Sequence, residues 1–251
     1  MGHEPKRGGD APPTTVTRVA LVTGSQGGIG SAAVAAFRGS GYAVLGADRV
    51  AGGDVVTDVA TSDGARAAVE AAVERHGRLD VVFTAHGISG RRFGDGPVAD
   101  CSEEGWDTVL DANLRSVFLV CKHAVPRLIE AGGGAIVTLG SALGLVGGDA
   151  DFATHAYAAA KAGVIGLTRA IAVAYAPAHV RANVIAPGLI ATPMSARAQA
   201  DERIRARLSE LQPLTGDFGR PEDVAQAAVY LARAEFVTGT VLTVDGGWTA
   251  R

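Results

Sequence analysis

Tyr157 and Lys161 stand four positions apart in "ATHAYAAAKAG", residues 153–163. Alanine is the strongest helix former, so the stretch reads as helix. Residues i and i+4 then share one face, which brings an ammonium beside a phenol. A packed tyrosine with a lysine reaching past it toward water satisfies that spacing equally. The chemical alternative is a phenol whose proton is loosened by a neighbouring cation, a general acid/base near neutral pH. The rest of the chain has to decide between them.

A second group of residues carries a different chemistry. "VTGSQGGIG" lies where a continuous apolar run, residues 18–23, gives way to a small-residue helix. Gly24, Gly28 and Gly30 are spaced for a tight turn and close backbone approach to a pyrophosphate at a helix N-terminus. A glycine triplet in a chain with 34 glycines is weak evidence by itself, and the strand–turn–helix setting is what gives it force. Asp48 follows 18 residues past Gly30, at the end of the next apolar run. A carboxylate there accepts hydrogen bonds from an adenine ribose and repels a 2′-phosphate. It is equally a common strand-end turn residue. The glycine turn offers Ser25, Gln26 and Ile29 and no basic side chain, although Arg49 adjoins Asp48. These residues favour NAD over NADP.

The elements that must position these groups alternate regularly. Apolar strand-like runs cover 18–23, 42–48, 79–87, 134–141 and 180–188, with a brief one in "GDVVTDV" and a closing one in "TGTVLTVDGG". Helical stretches separate them, including 62–77 with a Ser/Asp start and a Gly stop, and a polar stretch through residue 211. Continuous apolar strands between helices predict a parallel sheet covered on both faces. The fold class is therefore α/β: one doubly wound Rossmann-type domain over residues 17–251 with about seven strands, after a flexible leader at 1–16. Of 251 residues, 47% are hydrophobic and 20% charged, enough for a large core. A net charge of −3 gives no footprint for nucleic acid. No apolar run reads as a membrane span, and no signal-type segment follows the N-terminus. Cys101 and Cys121 have no metal-like spacing and the six histidines are scattered, so no metal is expected. Cysteine usage of this kind suits a reducing cytoplasm.

Taken in order, the motifs resemble the classical short-chain dehydrogenase/reductase family from about residue 18 onward. "TGSQGGIG" is similar to that family's TGxxxGxG and "YAAAK" to its YxxxK. "SALG" resembles the segment of the catalytic serine, "DANL" that of the helix asparagine, and "APGLIATPM" the turn after the sixth strand. The resemblance implies Ser141, Tyr157, Lys161 and Asn113 as catalytic residues. Tyr157 would be the acid/base, its phenol drawn down by Lys161 and the nicotinamide. Lys161 would bind the nicotinamide ribose, Ser141 the substrate oxygen, and Asn113 would link Lys161 to solvent through water. It also implies Asp58 and Val59 near the adenine, and Pro187, Gly188, Ile190 and Thr192 at the nicotinamide end. Asp58 also reads as a turn residue, and Thr192 as a helix N-cap before Pro193.

Two departures stand out. The family's NNAG is "TAHG" here, Thr84–Gly87, so the support given by asparagine side chains must come from elsewhere. His86 reads as structural. The 16 positions from Ser141 to Tyr157 exceed the usual spacing, which makes Asp151, Phe152 and His155 pocket wall or subunit contact. The expected activity is hydride transfer between NAD and a secondary alcohol or ketone, in a homotetramer built on the Ala-rich face of 156–175 and the "VDGGWTA" tail. The alternatives are an NADPH-dependent ketoacyl-type reductase and a catalytically silent dinucleotide-binding protein. A sugar-nucleotide epimerase ranks below these, because little chain remains after "APG" for a substrate domain. Arg197, Arg203, Arg205 and Arg207 in 189–218 meet an acidic substrate or form a solvated face.

Overall fold

The computed structural model describes residues 16–250. The expected leader therefore lies outside the described residues but for Val16. Seven strands form one sheet: β1 (Val19–Thr23), β2 (Ala43–Asp48), β3 (Val55–Val56), β4 (Val81–Thr84), β5 (Gly134–Leu139), β6 (Val180–Pro187) and β7 (Val241–Val244). Every pairing is parallel and the order is β3-β2-β1-β4-β5-β6-β7. The order reverses between β1 and β4, so a crevice opens at their carboxyl ends.

Strand side chains alternate between faces, and both faces here are covered. Val19 and Leu21 of β1 enter one core with Ala68, Val120 and Val164. These come from α2 (Ser62–His76), α4 (Ser116–Glu130) and α5 (His155–Ala174). Ala20 and Val22 enter the opposite core with Phe37 and Ala228, from α1 (Gly28–Gly39) and α9 (Pro221–Arg233). A helix α3 (Glu103–Leu110) runs into α4 through a π-helical turn, Asp111–Arg115.

Local chemistry sets the element ends. The Thr61 side chain accepts the Gly64 N–H and opens α2, one residue before the Ser62 start read from the sequence. Gly77 closes it at φ +79°. The polar stretch near residue 200 is three short helices, α6 (Ala196–Ala200), α7 (Glu202–Ala206) and α8 (Leu208–Leu211). Asp201 interrupts the run by accepting the N–H groups of Arg203 and Ile204. Ala198, Ile204 and Leu211 of these helices pack with Phe152 and Trp248 into a small third core, the roof of the crevice.

Helix α5 has 20 residues and a mean hydropathy of 1.3, enough by length and composition to cross a membrane. Val164, Ile165, Leu167, Ile171 and Val173, with the alanines, produce that value. The helix is engaged within the fold, where Val164 and Ile171 pack under the sheet.

Candidate active site

The crevice is a cleft of about 780 Å³ along the carboxyl edge of the sheet. Its first end is built by the glycine turn. Gly24 has φ +71°, and a Cβ there would lie 2.7 Å from the His86 backbone. Gly24 N–H bonds the Ala47 carbonyl at 2.8 Å, which folds the turn onto β2. A Cβ on Gly30 would sit 1.9 Å from the Gly24 carbonyl oxygen, so only glycine lets α1 start this close to the turn. The cradle left by these glycines, facing the first turn of a 12-residue helix, fits a pyrophosphate. Gly24, Gln26, Gly28 and Ile29 line the cleft; Gly30 and Ser25 do not. Ser25 is buried beneath the turn, against Gly46, where it supports the loop from behind.

Asp48 lines the same end, its carboxylate accepting Gln26 N–H at 2.9 Å and Val50 N–H at 3.2 Å. It is thereby fixed against the glycine turn. Asp58 and Val59 follow on the wall, Asp58 also accepting the Ala60 N–H as a turn residue does. Pro187, Gly188, Ile190 and Thr192 also line the cleft, with the Thr192 side chain against Gly28 of the glycine turn. Thr192 is also the N-cap residue of the short turn Pro193–Ser195.

Ser141, Tyr157 and Lys161 meet on the floor of the cleft. The Ser141 side chain accepts the Leu143 N–H at 3.2 Å and hydrogen-bonds the Tyr157 phenol. Lys161, only 2% exposed, donates from Nζ to the Leu139 carbonyl at 2.8 Å and lies 5.6 Å from the Tyr157 ring centre. Burial pulls its ammonium down to about 8. The expected lowering of the phenol is not met within this chain. Burial raises Tyr157, and the Ser141 hydrogen bond only partly opposes it.

Asn113 sits in the π-helical turn with both carboxamide protons engaged, on Ile88 and Val109 carbonyls. Its Oδ1 accepts the Ile88 N–H at 3.1 Å. A Cβ on Gly87 would lie 2.6 Å from that Oδ1 and 3.6 Å from Lys161 Nζ, so both side chains flank one point. The side chain thus clamps the strand-end loop.

The residues that replace the missing asparagines are Thr23, His86 and Ser116. His86 Nδ1 lies 2.6 Å from Thr23 Oγ1 and Nε2 lies 2.8 Å from Ser116 Oγ. Ser116 gives its only proton to the Ala112 carbonyl. His86 therefore donates from Nε2 and accepts at Nδ1, which assigns the neutral tautomer. Burial first, then the Lys161 charge, press its pKa down to about 3. One imidazole thus ties β1, the end of β4 and α4 together. Thr84, in the first asparagine's place, has a buried hydroxyl without a partner among the described residues.

Other positioning residues lie far from their targets in sequence. Asp95 is buried and accepts the Ala156 and Tyr157 N–H groups, each at 3.0 Å. It caps α5, whose own N-cap residue Thr154 makes no side-chain capping bond. Nothing local marks it, because more than 60 residues intervene. Phe152 is pocket wall, edge-on to Trp248 at 5.1 Å. The tail tryptophan is accordingly buried in its own chain. His155 accepts the Val98 N–H, and Asp151 pairs with Arg207, which also holds Asp149. Arg203 pairs with Asp201 and Arg205 reaches the Gln199 carbonyl, leaving Arg197 as the roof arginine on the cleft.

A crevice at a Rossmann switch point, with a glycine cradle at one end and a serine, tyrosine and lysine on its floor, defines a dinucleotide-dependent oxidoreductase class. A family model described as "Enoyl-(Acyl carrier protein) reductase" matches residues 24–249. The cis-4-hydroxycyclohexanecarboxylate dehydrogenase of Sinomonas cyclohexanicum is 39% identical, over 93% of this chain and 97% of that protein. The 3-oxoacyl-(acyl-carrier-protein) reductase of Thermotoga maritima is 37% identical over 92% and 97%. A short-chain type dehydrogenase/reductase from Mycobacterium ulcerans superposes with a TM-score of 0.85 at 30% identity, over 93% of this chain and 90% of that one. The chain belongs to the classical short-chain dehydrogenase/reductase family, oxidoreductases that use nicotinamide cofactors.

Proposed function

We propose that this chain is an NAD-dependent oxidoreductase that interconverts a secondary alcohol and its ketone, with Tyr157 as the general acid/base. The observation that carries this reading is the Ser141–Tyr157–Lys161 group on the floor of a cleft whose far end holds Asp48. A relative named for an alicyclic alcohol supports the substrate type. Gly24, Gly28, Asp48 and Thr192 would hold the dinucleotide, which supplies the hydride acceptor and a positive ring when bound. Ser141 fixes the substrate oxygen against the Tyr157 phenol, and Tyr157 takes the hydroxyl proton during oxidation. That requires phenolate. Lowering a phenol from about 10 to neutral pH takes about 4 kcal/mol. The Lys161 ammonium, 5.6 Å from the ring centre, and the positive nicotinamide ring would act in that direction against the burial that raises the phenol. Asn113 and Asp95 position the loop and the helix around this group.

Tyr157→Phe keeps the ring packing and removes only the ionisable group. NAD binding by calorimetry should persist while kcat falls by several orders of magnitude. Near-normal turnover removes Tyr157 from the role. Arg49, on the cleft beside Asp48, favours a second reading, an NADPH-dependent ketoacyl-type reductase, which the 3-oxoacyl reductase relative also supports. Paired assays with both cofactors separate the two. We further propose a cytoplasmic homotetramer. The outward face of α4 and α5 supports assembly, since Phe118 and Val173 lie exposed there. With Trp248 buried, the tail's part in that assembly rests on its other residues.

A further inference from the structure

Arg91 and Arg197, two of the arginines that line the cleft, have no use in the chemistry above. Arg91 lies in the turn after β4 and Arg197 lies in α6, yet both line the cleft that holds Ser141 and Tyr157. Their guanidinium Nη2 atoms converge on a single acceptor, the Asp151 carbonyl, at 2.6 and 2.9 Å. Two cations thus share one uncharged oxygen. The nearby carboxylates are committed elsewhere. Asp151 pairs with Arg207, and Asp95 accepts two backbone N–H groups of α5. Asp201 comes within 4.0 Å of Arg197 but is shared with Arg203 and two backbone N–H groups. Among the described residues no carboxylate reaches ion-pair distance of Arg91. Its guanidinium is held below the usual arginine range by burial and then by the Arg197 charge. Each guanidinium has five N–H donors, so most of those on Arg91 remain unspent beside the cleft.

The neighbouring wall is apolar, made by Leu143, Phe152, Leu189, Met194 and Trp248. We infer that the substrate of this enzyme is a hydroxy (or oxo) carboxylic acid with a compact apolar body, its carboxylate bound by Arg91 and Arg197. Planar guanidinium forks match a carboxylate in bidentate geometry. The apolar body fills the wall between that anion and the carbinol carbon at Ser141 and Tyr157.

This inference rests on the alcohol dehydrogenase reading, and the test separates the two. The probes are 4-hydroxycyclohexanecarboxylate and its methyl ester, which share a ring and carbinol and differ in one charge. Steady-state rates with the full-length enzyme and NAD should favour the acid at least tenfold in kcat/KM. Arg91→Gln and Arg197→Gln should each lower the acid/ester ratio at least tenfold, chiefly through KM for the acid. If Arg91→Gln does not fold, Arg197→Gln on the exposed side of α6 decides alone. An acid/ester ratio near one in the wild type, or a ratio unchanged in the variants, overturns the inference and leaves the arginines as braces for Asp151. So does turnover of neutral secondary alcohols, or of a 3-oxoacyl thioester, with neither probe accepted. Absence of turnover with any alcohol or ketone removes the underlying reading itself.

Discussion

Acid sensitivity should trace to His86. Its Nδ1 is an acceptor facing Thr23 and its Nε2 proton is given to Ser116, so protonation forces the Thr23 hydroxyl to turn from donor to acceptor and puts a cation near Lys161. The folded pKa is about 3 against 6.5 for a free imidazole. Because the folded value is the lower, the unfolded chain binds the extra proton first. The contribution is complete above 6.5 and is lost as pH falls toward 3. The slope is about 1.4 kcal/mol per pH unit, so pH 5 removes about 2 kcal/mol from this group alone. The assay is urea unfolding near pH 7.5 and near pH 5 for the wild type and His86→Asn, an uncharged replacement that keeps a donor and an acceptor. The variant starts less stable but should lose about 2 kcal/mol less on acidification, since other titrating groups are common to both. Equal losses in the two proteins refute the neutral, doubly bonded imidazole.

Three further outcomes are expected. Asp48→Ser should relax a preference for NAD over NADP of tenfold or more in kcat/KM, because a carboxylate a few ångströms from a 2′-phosphate costs about 1 kcal/mol in water and about 4 at an effective dielectric near 20. Wild-type use of NADPH equal to NADH contradicts this. Gly30→Ala places a methyl 1.9 Å from the Gly24 carbonyl, which should destabilise the fold by about 1–3 kcal/mol and abolish the rise in Tm with NAD. An unchanged thermal shift shows that α1 can retreat. Light scattering at micromolar concentration should give a tetramer, and a monomer would count against the exposed face of α4 and α5 as an interface.

The sequence by itself determined what depends on short spacing. Alternating apolar runs and helices specified a parallel, doubly covered sheet, because strand and helix periods are local. The glycines from Gly24 to Gly30 and the Tyr157–Lys161 pair were legible for the same reason: a turn or an i, i+4 face needs only a few residues. The tertiary structure decided everything that joins distant segments. Asp95 caps the helix of Tyr157 across more than 60 residues, and His86 joins two strand ends to α4. Arg91 and Arg197 meet at Asp151, and Trp248 turns inward onto Phe152 rather than outward. The burial that raises the Tyr157 phenol is likewise set by what surrounds the group. Such contacts follow from strand order and loop path. No spacing along one chain encodes them, because each is a distance between elements that only the assembled sheet brings together.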